Sequence, residues 1–171
     1  DPGYPGNRHF VRLFEGRARL VPVDASTSYQ LNAELVDKHW TASTRAVLIS
    51  SPSNPTGTLV ANADMGRIAS LVRERGGVLI VDEIYHGLTY GVETHSALKH
   101  GSDIVVINSF SKYYGMTGWR TGWLVAPPDY LEAIDRLAQN VFLATNTPAQ
   151  HAALAAFRPE VDSELKRRRD E

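Results

Sequence analysis

Four short apolar runs, separated by longer segments with helical spacing, dominate the pattern of this sequence. The runs occupy residues 45–50, 77–81, 103–108 and 122–126. Short, almost continuous apolar runs are typical of strands in a buried parallel sheet. Because right-handed crossovers return each strand in the same direction, we expect the polar residues after the first three runs at one edge of the sheet. The sequence therefore predicts an α/β fold with a mostly parallel sheet flanked by helices.

Helices and one further strand are predicted around these runs. The helices are predicted to start within residues 10–15, to lie within 31–40, to cover 63–75, to run from 129 to 141 and to begin again at 147; the strand is predicted over 18–23. Asn62, Asp129 and Thr147 are expected to cap the last three helices. The helix that follows Asp129 is expected to face the core with its apolar residues, Leu131, Ile134, Leu137 and Ala138.

Composition excludes several classes of protein. The chain has 171 residues, of which 43% are hydrophobic, enough for one domain with a sizeable core. A net charge of −1 argues against general affinity for nucleic acid or for an anionic membrane. No apolar run approaches transmembrane length, and the absence of cysteine excludes disulfides and fits a cytoplasmic setting. No metal site is predicted.

The stretch 109–122 carries the most specific chemistry in the sequence. It directly follows the third apolar run, which places it at the carboxyl end of a predicted strand. Ser109 and Ser111 can donate hydrogen bonds, and Arg120 offers a fixed fork of donors suited to phosphate. Lys112 is an amine that can form a Schiff base once it loses its proton. Together these residues indicate an anionic aldehyde as cofactor, with pyridoxal 5'-phosphate as the candidate.

Two further polar residues follow the other predicted strands. Asp82 ends a buried strand, where an isolated carboxylate is costly unless a cation meets it, and a protonated pyridine nitrogen would be such a partner. Asn54 follows the first run within a turn rich in proline and glycine. Taken alone, Asn54 is expected to do no more than cap its own turn through the backbone. Glu83 and His86 are assigned no catalytic role.

Three motifs together resemble a known family. They are Ser-Phe-Ser-Lys at 109–112 with Arg120 eight residues later, Asn-Pro-Thr-Gly at 54–57, and Asp-Glu-Ile-Tyr at 82–85. In this order, each after an apolar strand, they resemble the large domain of class I/II aminotransferases, which are fold type I pyridoxal-phosphate enzymes. The similarity runs from residue 1 to about 156. It implies a partial cofactor-binding large domain over 1–142 and a helical segment over 143–171 that leads toward a small domain absent from this sequence.

The resemblance also implies roles for individual residues. Lys112 would carry the cofactor as a Schiff base, and Ser109, Ser111 and Arg120 would bind its phosphate. Asp82 would pair with the ring nitrogen. The amide of Asn54 and the phenol of Tyr85 would contact the ring hydroxyl oxygen; the alternative for Tyr85 is a half-buried structural aromatic. Tyr4 would stack on the ring or serve only as a turn residue. The last apolar run, 122–126, would be antiparallel to the others.

The implied reaction moves an amino group from an amino acid to a 2-oxo acid, in a full-length protein expected to be a homodimer. No residue here matches the arginine that binds the substrate carboxylate in this family. Three alternatives remain open. The first is a lyase, synthase or decarboxylase that uses the same cofactor. The second is a non-catalytic cofactor-binding module, such as the sensory half of a transcription regulator. The third is an unrelated doubly wound domain in which Lys112 lies on the surface.

Overall fold

The structure is a computed structural model that describes residues 1–171. Its helices are α1 (Gly6–Leu13), α2 (Ala33–His39), α3 (Asn62–Glu74), α4 (Pro128–Val141), α5 (Thr147–Ala156) and α6 (Pro159–Asp170). Its strands are β1 (Ala46–Ser50), β2 (Val78–Asp82), β3 (Val105–Ser109) and β4 (Gly122–Val125). Short 3₁₀ turns occupy Ala25–Thr27, Ala97–His100 and Thr117–Trp119.

The strands form one sheet in the order β1-β2-β3-β4. β1 runs parallel to β2 and β2 parallel to β3, whereas β4 is antiparallel to β3. Helix α3 connects β1 to β2, and its packing on the sheet is the usual way in which a parallel crossover is buried. The predicted α/β class with a mostly parallel sheet, and the antiparallel last strand, are confirmed.

One face of the sheet carries the main core. Alternate residues of β2, Leu79 and Val81, point to this face because side chains alternate along a strand. They belong to one buried cluster with Ile68 and Val72 of α3, which lie one helical turn apart. Burial of each such side chain contributes about 1.5–3 kcal/mol to folding. This packing fixes β2 and therefore fixes the residues that follow it.

The opposite face of the sheet remains open. Leu48, Ile107 and Leu124 lie on three different strands and are 37%, 41% and 41% exposed. The almost continuous apolar runs predicted strands buried on both faces, so the structure differs from that expectation on this side. The residues at the strand ends on this face, such as Asp82, are consequently only partly screened from solvent.

The prediction of a strand over 18–23 is wrong, because these residues form no strand. This segment forms only isolated hydrogen bonds to residue 1: Val23 N donates to Asp1 O at 3.1 Å, and the amino terminus of Asp1 donates to Val21 O. Pro22 has no N–H to donate, so no continuous ladder forms around it. The helix predicted to begin within 10–15 begins earlier, at Gly6, and ends at Leu13.

Each of the three predicted helix caps is wrong. Ala61 occupies the N-cap of α3, and Asn62 lies inside the helix with its side-chain oxygen 3.0 Å from His100 Nε2. Pro127 precedes α4 without a side-chain cap, and Asp129 lies in the first turn. Asn146, not Thr147, caps α5, because its side chain accepts a hydrogen bond from Ala149 N at 2.8 Å.

The core face predicted for α4 is also wrong. None of its residues is buried, and Leu131 is 51% exposed. The helical spacing of the apolar residues is real, but no described element packs firmly against that side of the helix. None of the six helices combines the length and the apolar character that crossing a membrane requires.

Candidate functional site

Three of the predicted site residues follow adjacent parallel strands. Ser50 at the end of β1 is in register with Asp82 at the end of β2, and Asp82 is in register with Ile107 of β3. Asn54 therefore comes four residues after the end of β1, and Lys112 three residues after the end of β3. The sheet thus places Asn54, Asp82 and Lys112 at one edge, as the spacing of the strands predicts.

Asp82 is a half-buried carboxylate without a cationic partner. It accepts a hydrogen bond from Ile84 N at 3.1 Å. Burial raises the pKa of Asp82, while the hydrogen bonds from Ile84 and from the Ser50 side chain act in the opposite direction. None of the ion pairs in the chain includes Asp82. A bound cation at this position would therefore be favourable.

The turn after β1 brings Asn54 to Tyr85. Asn54 Nδ2 donates to Tyr85 Oη at 3.4 Å, although 31 residues separate them. The turn is closed by hydrogen bonds from Ser53 N to Thr58 O at 2.9 Å and from Gly57 N to Ser53 O at 2.8 Å. The amide and the phenol therefore form one polar pair, in which Tyr85 lies three residues after Asp82 in the chain.

Gln30 braces this turn and was not found from the sequence. It is buried, and its Nε2 donates to Thr58 O at 2.7 Å and to Ser50 O at 3.4 Å. These carbonyls belong to the two stems of the turn that carries Asn54. A lone glutamine between two short elements gives no periodic signal, so only the structure could identify it.

The two serines of the Ser-Phe-Ser-Lys motif lie together at the end of β3. Ser109 Oγ is 3.0 Å from Ser111 Oγ, and Ser111 N donates to Ser109 Oγ at 3.1 Å. Ser109 Oγ also donates to Thr121 O at 3.2 Å, which ties the motif to the start of β4. Ser111 Oγ has its proton free for an anion, and Ser109 Oγ could donate its one proton to the same anion by releasing Thr121 O.

Arg120 reaches the same corner because β4 pairs with β3. Thr121, the next residue, contacts Ser109, and Gly122 is in register with Ser109. Arg120 adopts left-handed backbone angles, φ 53° and ψ 49°, which are uncommon for a residue with a side chain. Its Nη1 donates to Thr117 O at 3.0 Å, and it forms no ion pair with any carboxylate of the chain.

Lys112 is exposed, and its side-chain nitrogen makes no hydrogen bond within the chain. Its Nζ lies 5.7 Å from the centroid of the Tyr85 ring, within reach of a cation–π attraction. Its carbonyl accepts a hydrogen bond from Gly115 N at 2.9 Å, which closes the turn. No carboxylate pairs with its side chain. The contact with Tyr85 joins the lysine to the Asn54–Tyr85 pair.

Tyr4 makes no contact that joins it to the candidate site residues at the strand ends. It precedes α1, and its ring lies against Gly6. None of its hydrogen bonds or ring contacts joins it to the residues at the strand ends. Its predicted role at the cofactor ring stays a prediction.

Glu83 is a structural carboxylate that the sequence did not identify. It is 3% exposed and accepts hydrogen bonds from Ala97 N at 2.6 Å and Ser96 Oγ at 3.1 Å. His86 Nδ1 lies 3.5 Å from its second oxygen. These contacts anchor the loop that carries Asp82 and Tyr85. The available signal was the second acidic residue at the end of an apolar strand, which needs a partner when buried.

The charges at this edge suit one kind of ligand. A half-buried carboxylate, Asp82, lacks a cation, while Lys112 and Arg120 lack carboxylates. The paired hydroxyls of Ser109 and Ser111 supply further donors. A small molecule that combines an anionic group, a cationic nitrogen and an electrophile able to react with an amine would satisfy all of them. Pyridoxal phosphate has these three features, so the residues present fit it.

Comparison with known proteins gives a consistent result. The family model for aminotransferase class I and II matches residues 1–171. The chain is 38% identical over 166 residues to valine–pyruvate aminotransferase from Mycobacterium tuberculosis, covering 96% of this chain and 42% of that protein. It is 36% identical over 168 residues to (5-formylfuran-3-yl)methyl phosphate transaminase from Methanocaldococcus jannaschii, with coverage of 96% and 42%.

A solved structure also matches the fold closely. The crystal structure of an aminotransferase from Mycobacterium tuberculosis superimposes with a TM-score of 0.94 at 36% identity, covering 99% of this chain and 47% of that one. The chain thus spans less than half the length of the proteins that it matches.

Proposed function

The chain belongs to the class I and II aminotransferase family, and on that premise we propose that it forms the cofactor-binding part of a pyridoxal-phosphate-dependent aminotransferase. The observation that carries the proposal is the edge of the sheet where an unpaired carboxylate, Asp82, and two unpaired cations, Lys112 and Arg120, meet. A carboxylate that is half-buried without a cationic partner, at the same sheet edge as two unpaired cations, is typical of a ligand site.

The cofactor would be held by the residues already described. The hydroxyls of Ser109 and Ser111 and the guanidinium of Arg120 would bind the phosphate, and Asp82 would pair with the ring nitrogen. Asn54 and Tyr85 would contact the ring hydroxyl oxygen. The hydrogen bond between Asn54 Nδ2 and Tyr85 Oη supports this assignment because it presents both groups to one point. Tyr4 is the further candidate for stacking on the ring.

When bound, pyridoxal phosphate supplies an aldehyde that reacts with amines and a ring that withdraws electrons from the bond being broken. Asp82, half-buried and without a competing cation, would pair with the positive ring nitrogen, and that cation would offset the burial that raises the pKa of Asp82. Lys112 would hold the cofactor through its side-chain nitrogen, and the same Nζ, when neutral, would accept the proton from the substrate α-carbon. Lys112 and Asp82 are therefore the proposed catalytic residues, with Tyr85 assisting at the ring oxygen.

The substrates proposed for the whole protein are an amino acid and a 2-oxo acid. The names of the two relatives differ in the molecules that they contain, so they support the class of reaction and not one substrate. A homodimer is proposed from the family resemblance. A cytoplasmic location is proposed because the chain contains no cysteine.

The division of the chain into two parts is also a proposal. Residues 1–142 would belong to the large domain, and residues 143–171 would lead toward a second domain. The rings of Phe157 and Phe110, 5.3 Å apart, attach the helical segment to the sheet.

An isotope-transfer assay tests the proposed reaction. The full-length gene product that contains this chain would be supplied with pyridoxal phosphate, ¹⁵N-labelled amino acids and a panel of 2-oxo acids. Transfer of ¹⁵N to an oxo acid, lost in Lys112→Ala, is the expected result. Elimination or decarboxylation products without ¹⁵N transfer would contradict an aminotransferase and indicate another reaction on the same cofactor.

A further inference from the structure

The Lys112 side chain does not hold the turn that carries it; the turn is held by backbone hydrogen bonds, including that from Gly115 N to Lys112 O, and by the neighbouring residues. On one side, Ser111 N donates to Ser109 Oγ at 3.1 Å. On the other side lies Tyr113, a half-buried side chain with contacts far away in the sequence. The exposed Lys112 ammonium has only the 5.7 Å approach to Tyr85. Its position therefore depends on what fixes Ser111 and Tyr113.

The hydroxyl of Tyr113 reaches helix α6. Tyr113 Oη donates to Asp162 Oδ1 at 2.9 Å across 49 residues of sequence. The second oxygen of Asp162 pairs with Lys166 Nζ at 2.6 Å, one turn further along α6. Burial and the neighbouring Asp162 raise the pKa of Tyr113 to about 12, so the phenol remains a donor at neutral pH. Hydrogen bonds from Lys166 and Tyr113 lower the pKa of Asp162, which remains a charged acceptor.

The ring of Tyr113 lies against the loop that follows β2. A Cβ added to Gly87 would lie 2.5 Å from Tyr113 Cδ2, so the glycine backbone is in direct contact with the ring. Gly87 has a φ of +91°, a region that side-chain-bearing residues rarely adopt. This loop also carries Asp82 and Tyr85. The ring of Tyr113 therefore packs the Lys112 turn against the loop that follows β2.

We propose that Tyr113 is a positioning residue that ties the Lys112 turn to α6 through Asp162 and to the Asp82 loop through Gly87. The position of Lys112 relative to Asp82 then depends on where α6 lies. The inference rests on the proposed function, because it assigns Tyr113 an effect on the cofactor that acts through Lys112.

A double-mutant cycle on pyridoxal phosphate affinity tests this coupling. Tyr113→Phe keeps the ring on Gly87 and removes only the hydrogen bond to Asp162. In the full-length gene product with Lys112 present, we expect the dissociation constant to rise about two- to tenfold, the range that one hydrogen bond supplies. In a Lys112→Ala background, where the cofactor binds without the lysine, we expect Tyr113→Phe to change the dissociation constant by less than about 1.5-fold.

Matched variants complete the experiment. Tyr114→Phe removes a phenol from the next residue, which makes no side-chain hydrogen bond, and it should leave affinity unchanged. Asp162→Ala should reproduce the loss, and Asp162→Asn, which keeps an acceptor oxygen, should recover part of it. Equal losses in both Lys112 backgrounds, or no loss with Lys112 present, would overturn the coupling. Failure of the proposed function is a separate result, namely that the unmodified protein does not attach pyridoxal phosphate to Lys112.

Discussion

Substitution of Gly87 by alanine offers a direct measure of the contact between the Asp82 loop and Tyr113. The added Cβ would lie 2.5, 2.6 and 2.9 Å from three ring carbons of Tyr113. Ordinary carbon–carbon contact requires about 3.5–4 Å, so the ring or the loop must move by about 1 Å. Overpacking of this size costs about 1–3 kcal/mol. The φ of +91° adds a backbone cost of about 1–3 kcal/mol.

These two destabilising effects on the folded state are partly offset by an effect of alanine on the unfolded state. Alanine reduces the conformational freedom of the unfolded state and so returns about 0.4–1 kcal/mol. The expected loss in the free energy of unfolding for Gly87→Ala is therefore about 1–5.6 kcal/mol. Because the displaced ring is next to Lys112, we also expect slower attachment of pyridoxal phosphate to that lysine.

Gly91 is a matched control in the same loop. It has a φ of +69°, but a Cβ added there meets nothing within 4 Å. Gly91→Ala should therefore cost only the backbone term, about 1–2 kcal/mol. Urea unfolding of the full-length gene product, followed by tryptophan fluorescence, would compare the two variants. If Gly87→Ala costs no more than Gly91→Ala, the contact with Tyr113 does not contribute and the reasoning is refuted.

Two further predictions concern the carboxylates after β2. Burial raises the pKa of Asp82, so its ionisation disfavours the folded state without cofactor at neutral pH. Asp82→Asn should therefore leave the cofactor-free protein as stable as before, or more stable, at pH 7, and this gain in stability should shrink as the pH falls toward 3.8. The same variant should bind pyridoxal phosphate more weakly. A loss of stability at pH 7 would contradict this prediction. Glu83→Gln should cost about 1–3 kcal/mol in urea unfolding because it disturbs a buried acceptor. Glu93→Gln, at a side chain that is 84% exposed, should change stability by less than about 0.5 kcal/mol, and equal effects would refute the role of Glu83.

The placement of Asn54, Asp82 and Lys112 at one strand edge followed from the sequence, whereas the helix caps and the buried face of α4 did not. Apolar runs define strands, and parallel strands separated by crossovers must bring their carboxyl ends together, so Asn54, Asp82 and Lys112 could be placed at one edge. That argument needs only the order of elements along the chain. It therefore remains valid although the bounds of the strands moved by one or two residues.

The errors arose where a residue had a choice of partners. Asn62 can cap a helix, but in the fold its oxygen meets His100, 38 residues away. The apolar stripe of α4 indicates a buried face, yet Leu131 remains half exposed because periodicity does not identify what packs on it. The contact of Tyr113 with Asp162 spans 49 residues and follows no local pattern. Such long-range polar contacts can be identified only from the three-dimensional structure.

The most direct test of the central claim is to map the lysine that binds the cofactor. The full-length gene product would be mixed with pyridoxal phosphate, reduced with borohydride and digested, and the labelled peptide would be identified by mass spectrometry. The proposed site predicts label on Lys112, with Lys99 and Lys166 unlabelled at stoichiometric cofactor. Label spread over surface lysines, or none on Lys112, would contradict the assignment of this strand edge as the pyridoxal phosphate site.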